Sequence, residues 1–374
     1  MSEINSSNFK KEHGDLAPDL VGLTELTSPY FFVPPSGTTA ERPEDCEPGT
    51  LRFNTDSGSL EVFRGKTIGW ETIQRRESQY LGGGTGSNTG TGVRGITAGG
   101  NTPSAKNEIE FVTISTFGNT QDFGDLLSTN TALAGLASNT RGIFQGGSNP
   151  NTNVIQFITI SSTGNAQDFG DALKSCGYSA GLSNQVRGVV GGGGSTNAID
   201  YITIAQTGNA VDFGDLNDAG EIRMGFASST RGIMGGGRAL NVIDFITIMT
   251  TGNATDFGDL TMTTHVPGGC SNATRGLCNL RPSTAPYYLN TVEFVTIATT
   301  GNSIDFGDST NNAGGTGGMS SSTRGLFAGG YGSPSFKTEI ASFEIATTGN
   351  AVDFGDMTYG ADNVCGISNG HGGL

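Results

Sequence analysis

An all-β fold built from repeated four-stranded units is the first expectation from this 374-residue chain, and three observations carry it. Asp-Phe-Gly-Asp occurs six times, as Asp122–Asp125, Asp168–Asp171, Asp212–Asp215, Asp256–Asp259, Asp305–Asp308 and Asp353–Asp356. Each copy follows an Arg-Gly-apolar start, at Arg94, Arg141, Arg187, Arg231, Arg275 and Arg324. Successive arginines lie 44 to 49 residues apart, the length of one β-propeller blade. Six such units predict a six-bladed β-propeller over residues 94–374. A repeat this regular argues against an enzyme, because a catalytic site gathers unlike residues once.

Ahead of the repeats, residues 1–40 are polar and close on Pro34-Pro35-Ser36-Gly37, which reads as an extended arm. Residues 41–78 form a small module. Gly49–Thr55 and Leu60–Phe63 alternate around Asp56-Ser57-Gly58, the pattern of a β-hairpin. Gly69–Ile73 supplies a third strand and the single tryptophan. Residues 79–93 are mostly Gly, Thr and Ser and read as a linker.

The fourth unit shows the predicted strands: Met224–Ser229, Arg231–Met234, Val242–Met249 and Ala254–Phe257. Thr251-Gly252-Asn253 makes the turn between the last two, with Gly and Asn where positive φ is expected. From the last Asp of each motif to the next arginine is always 16 residues. The same count from Asp356 reaches Gly372, so the chain runs one strand into a seventh unit. That strand is expected to complete the unit of Arg94, closing the ring and removing an open sheet edge.

Length varies almost entirely in one place, the connection between second and third strands. It is short at Ser195–Ala198 and Arg238–Asn241. It is longer at Asn101–Glu108, Ser148–Asn153, Asn279–Thr291 and Tyr331–Glu339. These four belong to neighbouring units, so a crescent of long loops is expected on one face. It holds Arg281, Tyr287, Tyr288, Tyr331, Phe336 and Lys337, residue types favoured in recognition surfaces. Drift in tolerant loops is the plainer explanation of the same lengths.

Each Asp-Phe-Gly-Asp could offer two carboxylates to Ca²⁺, but compact Ca²⁺ loops place oxygens at alternate positions and here Phe intervenes. The phenylalanines are expected in the core. The aspartates are expected to form turns and to bridge to the six arginines, fixing unit against unit. No metal and no cofactor are expected.

Composition closes off other classes. The net charge of −15 and a pI near 4.5 disfavour a nucleic-acid partner. Cys46, Cys176, Cys270, Cys278 and Cys365 are odd in number and lack CxxC spacing, so reduced, mostly buried thiols are expected. His13, His265 and His371 recur beside no fixed Ser or Cys, so no catalytic residues are proposed. Neither a signal peptide nor an apolar run long enough to insert in a membrane is expected.

Glu41-Arg42-Pro43, then Gly49-Thr50-Leu51-Arg52-Phe53-Asn54-Thr55, Leu60-Glu61-Val62-Phe63, Gly65 and Trp70 resemble a module of tailed-bacteriophage fibre and other virion proteins. The repeats resemble kelch-like virion proteins of marine and cyanobacterial phages. The match departs from kelch proper at Cys278-Asn279, where a Gly-Gly pair is usual. The resemblance implies a virion structural protein assembled in the host cytoplasm, docked on other virion proteins through residues 1–78, and homo-oligomeric with a trimer favoured. It implies a tail fibre or tail-associated adhesin meeting a host-surface glycan or protein. The alternative is a capsid, neck or tail decoration with a structural role. A glycan-cleaving enzyme would need carboxylates placed singly in a cleft, and here they are repeated.

Overall fold

The computed structural model describes residues 34–43, 45–56, 59–67, 69–72, 93–220, 224–265 and 267–374. The expected arm before residue 34, the Ser57-Gly58 turn, Ile73, most of the linker and His13 lie outside the described residues. The chain divides into two compact units, Met1–Arg75 and Arg76–Leu374.

The first unit is one small sheet. Leu51–Asn54 and Ser59–Phe63 form the expected hairpin, and Trp70–Thr72 adds the third strand. Ser36–Gly37 pairs in parallel with Phe53 and Asn54, so the module begins inside the segment expected to be arm. A two-residue strand leaves no alternation to read. The interior is mostly polar: Glu61 and Asn54 are fully buried and Arg52 nearly so, with Phe63 as the apolar member. Glu61 pairs with Arg42 and accepts from Asn54 Nδ2 at 2.9 Å.

The second unit is all-β, with six four-stranded antiparallel sheets. The fourth sheet is Met224–Ala227, Arg231–Gly237, Leu240–Thr247 and Thr255–Thr264 in spatial order. The sheet of Arg94 is completed from the far end of the chain: Cys365–Ser368 pairs with Arg94–Ala98, Cys365 opposite Ala98 and Ser368 opposite Gly95. The strand expected to complete the unit of Arg94 is therefore present.

The six first strands, Ala134–Ala137, Ala180–Ser183, Met224–Ala227, Gly268–Ser271, Gly317–Ser320 and Cys365–Ser368, touch one another in cyclic order. A glycine at the second position of each makes this approach feasible. A Cβ on Gly366 would stand 2.5 Å from the Gly318 carbonyl oxygen. Six apolar clusters lie between successive sheets. One of them joins the last sheet to the first, through Leu326, Ile340 and Phe354 against Val112 and Ile114. With both faces covered, second strands read as continuous apolar runs rather than alternating ones. Burial also accounts for the thiols: four of the five cysteines are buried, and desolvation pushes Cys270 and Cys365 up to about 12.

The repeated motifs form the seams between sheets. Phe123, Phe169, Phe213, Phe257, Phe306 and Phe354 are buried, as expected. The glycine after each sits at a β-bulge with φ between +144 and +148. The Gly-Asn turn of the next sheet docks against it. Gly208 N–H donates to the Phe169 carbonyl and Ala210 N–H to that of Asp171, both at 2.8 Å, while Asn209 Oδ1 accepts from Asp171 N–H at 3.0 Å. The asparagine thus acts through its side chain. The same three bonds join the last sheet to the first, through Gly118, Thr120 and Asn119 against Phe354 and Asp356.

The expected Arg–Asp bridges do not form. Five of the six arginines stack on an aromatic ring of their own sheet's third strand, as Arg187 does on Tyr201 at 4.1 Å. The Nη1 of each donates to a backbone carbonyl of the next sheet, from Arg187 to Ile248 at 3.0 Å. Register explains the error. Arg187 faces Thr203 across the ladder, whereas Asp212 faces Asp200, three residues away on that strand and two strands over from the arginine. That offset puts guanidinium and carboxylate roughly 10 Å apart along the strand alone.

The sixth sheet breaks the pattern and repairs it. Ser342 stands where the other third strands carry the aromatic ring. Arg324 stacks instead on Phe117 of the first sheet, at 4.6 Å, and still donates to Ile114 O at 2.7 Å. The five other turns carry Thr at the position of Phe117: Thr163, Thr207, Thr251, Thr300 and Thr348. The one aromatic substitution therefore falls where the neighbouring sheet lacks its own ring.

A polar latch escaped the sequence reading. Glu110, Gln156, Asp200, Asp244 and Glu293 are buried singly among apolar neighbours of the third strands. Each accepts the N–H two residues after the preceding motif, for instance Leu127 N–H to Gln156 Oε1 at 2.8 Å. Thr358, Leu173, Asn217 and Thr261 donate to the other four. The sixth sheet has Ala341 there. A single polar letter inside Ile-x-Phe, repeated, was the available signal.

Candidate functional site

Second-to-third-strand connections emerge beside the start of each first strand, because the two strands run antiparallel. In the third sheet Ala180 faces Gly191. Links from one sheet to the next emerge at that same end, so both kinds of loop share a face. The fourth sheet's connection is a two-residue hairpin, Arg238-Ala239, both with positive φ. The fifth spans residues 280–290, and the sixth carries its own miniature hairpin, Tyr331 opposite Phe336 and Gly332 opposite Ser335. Cis peptide bonds precede Pro150, Pro286 and Pro334.

Four of the six expected site residues meet. The Arg281 guanidinium lies over the Tyr288 ring at 5.0 Å, and Tyr288 meets Tyr331 edge-on at 5.7 Å. Tyr331 in turn meets Phe336 at 5.2 Å. Aromatic edge-to-face pairs and a cation over a ring each add about 1 kcal/mol beyond burial, so these side chains hold one another in place. Tyr331 is anchored further by paired backbone bonds with Gly314. Tyr287 stands 54% exposed outside the ladder, and Lys337 reaches only Ser335, at 3.5 Å.

The other half of the crescent is chemically different. The first connection is bridged to Asp362 through Asn101, and the second to Thr131 through Ser148. Lys106 pairs with Glu108 and lies over Tyr359 at 5.7 Å. The aromatic surface therefore belongs to the fifth and sixth sheets. Beside it Tyr288, Leu289, Asn290, Thr310, Asn311 and Asn312 line an open hollow. The three asparagines carry neither charge nor an aromatic ring, and nothing in their spacing marks them in the sequence.

Where the first strands meet, Gly135, Gly181, Gly225, Gly269, Gly318 and Gly366 line a cavity of about 110 Å³. A second space of about 50 Å³ continues from it and reaches His371. His371 is half-buried, and desolvation lowers its pKa to about 4. Its Nε2 donates to Ala137 O at 3.1 Å and its Nδ1 accepts from Gly373 N–H at 3.1 Å, which fixes the neutral Nε2–H tautomer. With Gly372 N–H donating to Ser271 O at 2.8 Å, residues 371–373 cross from the first strand of the second sheet to that of the fifth. This histidine fastens the chain end.

The twelve motif aspartates lie on the outermost strands, ten of them exposed and Asp125 and Asp259 half-buried. Among the described residues no cluster of three or more His, Cys, Asp or Glu is placed to hold a metal ion. Nor is any helix there long and apolar enough to cross a membrane. The chain matches no protein-family model and no curated protein.

Proposed function

We propose that this chain is a non-enzymatic recognition protein of a tailed-phage virion. In this reading residues 94–374 are a six-bladed, kelch-like β-propeller closed by the C-terminal strand. The cyclic seams support it, above all the bonds from Arg324 to Ile114 and from Gly118 to Phe354 that join the last sheet to the first. Residues 1–78 anchor the propeller to other virion proteins, as the fibre-like hairpin module suggests, within a homo-oligomer for which a trimer is favoured. The particle displays it as a tail fibre or tail-associated adhesin that meets a glycan or protein of the host surface.

One observation carries the recognition role: the Arg281–Tyr288–Tyr331–Phe336 ladder on the longest connections of an otherwise uniform ring. Scaffold demands account for the repeated arginines, phenylalanines and glycines, but they do not call for this ladder. Immunogold labelling of intact particles with antibody against residues 94–374 tests the reading. Label at fibres or the tail tip is expected. Label along the capsid, neck or tail tube would replace the adhesin with a decoration protein, and unlabelled particles would remove the virion assignment.

A further inference from the structure

The hollow beside Tyr288 narrows the class of ligand. Its volume of about 490 Å³ lies within the range of small-molecule sites. One wall is the Tyr288–Asn290 end of the fifth sheet's connection, and the other is Thr310–Asn312, just after that sheet's Asp305–Asp308 motif. No wall side chain is charged at neutral pH. Three are primary amides, each of which donates and accepts in a single plane.

Two of these groups, Asn311 and Tyr288, are set in advance. Asn311 Nδ2 donates to Glu339 Oε2 at 3.0 Å, which orients that amide and leaves its oxygen available. Arg281 and Tyr331 hold the Tyr288 ring, so little side-chain freedom is lost when a ligand arrives. The Arg281 guanidinium is engaged with the Tyr288 ring and hydroxyl and lies outside the lining, and the Glu339 carboxylate stands behind Asn311. A carboxylate or phosphate entering the hollow would therefore shed water without a cation on the lining to receive it. A flat, uncharged molecule with an apolar face and a rim of hydroxyls meets no such penalty. Its C–H face suits the tyrosine ring, and adjacent hydroxyls suit the donor–acceptor pairs of the amides.

We infer that this hollow binds an uncharged pyranose unit of a glycan, with Tyr288 as the stacking platform and Asn290, Asn311 and Asn312 reading its hydroxyls. The inference rests on the recognition reading and names the ligand class of the same surface. One pyranose here binds with a Kd on the order of 1 mM, and several copies on one particle raise the effective affinity.

The test is a nuclear magnetic resonance titration of the full chain with methyl glucoside, methyl galactoside, methyl mannoside and N-acetylglucosamine, beside glucuronate and sialic acid. At least one neutral sugar is expected to shift the amides of residues 288–290 and 310–312 saturably, and the acidic sugars to leave them in place. Tyr288→Ala should weaken binding about tenfold, the worth of one aromatic contact, while Tyr288→Phe keeps it. An unchanged spectrum elsewhere shows that each variant is folded. The inference is overturned if no neutral sugar titrates, if only acidic ones do, or if binding survives Tyr288→Ala. Adsorption of particles to host cells separates this from the broader reading. Adsorption lost in Tyr288→Ala without any sugar titrating keeps recognition and discards the pyranose. A sugar that titrates on a chain labelled along the capsid keeps the site and discards the tail adhesin.

Discussion

In the hairpin unit the enclosed side chains are Glu61, Asn54 and Arg52 beside a single apolar one, Phe63, while Leu51 and Phe53 stand 42% and 36% exposed on the opposite face of the sheet. In the repeat unit the enclosed side chains are mostly Ile, Leu and Phe; the motif aspartates lie on the outermost strands, and the buried carboxylates of Glu110, Asp200, Asp244 and Glu293 stand singly on third strands. Both are β-sheets; what differs is the number of covered faces. A short sheet encloses too little volume for an extensive apolar core, so a hydrogen-bonded ion cluster shares its interior with Phe63. A sheet packed between two others is covered on both sides and is stabilised by burying apolar area. The first arrangement depends on a few charged bonds, the second on exact fit repeated six times.

The most disruptive single change should therefore fall at a seam. Gly170→Ala would put a Cβ 2.5 Å from the Gly208 carbonyl oxygen, at φ +148. A loss of about 4 kcal/mol is expected in the unfolding of the repeat unit, combining strain with overpacking. Gly349→Ala, which meets nothing within 4 Å, should change stability by less than about 0.5 kcal/mol. Protection of amides 51–72 against hydrogen exchange should be unaltered in both. Equal thermal shifts for the two substitutions would remove the seam argument.

Acid should separate the units in order. An unfolded histidine protonates near 6.5, whereas burial holds His371 at about 4, so the unfolded chain takes up the proton first. The repeat unit should lose on the order of 3 kcal/mol as the pH falls from 6.5 to about 4. The Arg42 hydrogen bond lowers the Glu61 pKa from 4.5, so its contribution is complete above 4.5 and is lost only as pH falls through the lower folded value. Hydrogen exchange at about pH 5 should thus weaken protection in the repeat unit alone. His371→Gln should abolish that early loss. Simultaneous weakening of both units would show that their interiors do not titrate separately.

The smallest expected effect sharpens the account of the seam itself. In a double-mutant cycle of Arg324→Ala and Phe117→Ala, the coupling should be about 1 kcal/mol, the worth of a cation over a ring. The Arg187→Ala and Thr251→Ala cycle should give close to zero, since Arg187 stacks on Tyr201 instead. Coupling of the same size in both would mean that Phe117 does not compensate for Ser342.

Repeat spacing by itself determined the number of repeated sheets, their four-stranded make-up and the pairing of Cys365–Ser368 into the sheet of Arg94, because six internal copies act as one another's alignment. It also placed the long connections on one face and picked out four residues that meet there. Partners across seams were decided only by the tertiary structure. Arg187 and Asp212 are near in sequence yet lie on different strands at different heights of the ladder, so proximity in the motif misled. The latch of Gln156 to Leu127 N–H and the stacking of Arg324 on Phe117 join separate sheets, which no local pattern encodes. The hollow of Asn290, Asn311 and Asn312 likewise exists only where two loops converge, because uncharged amides reveal their purpose through what folding sets beside them.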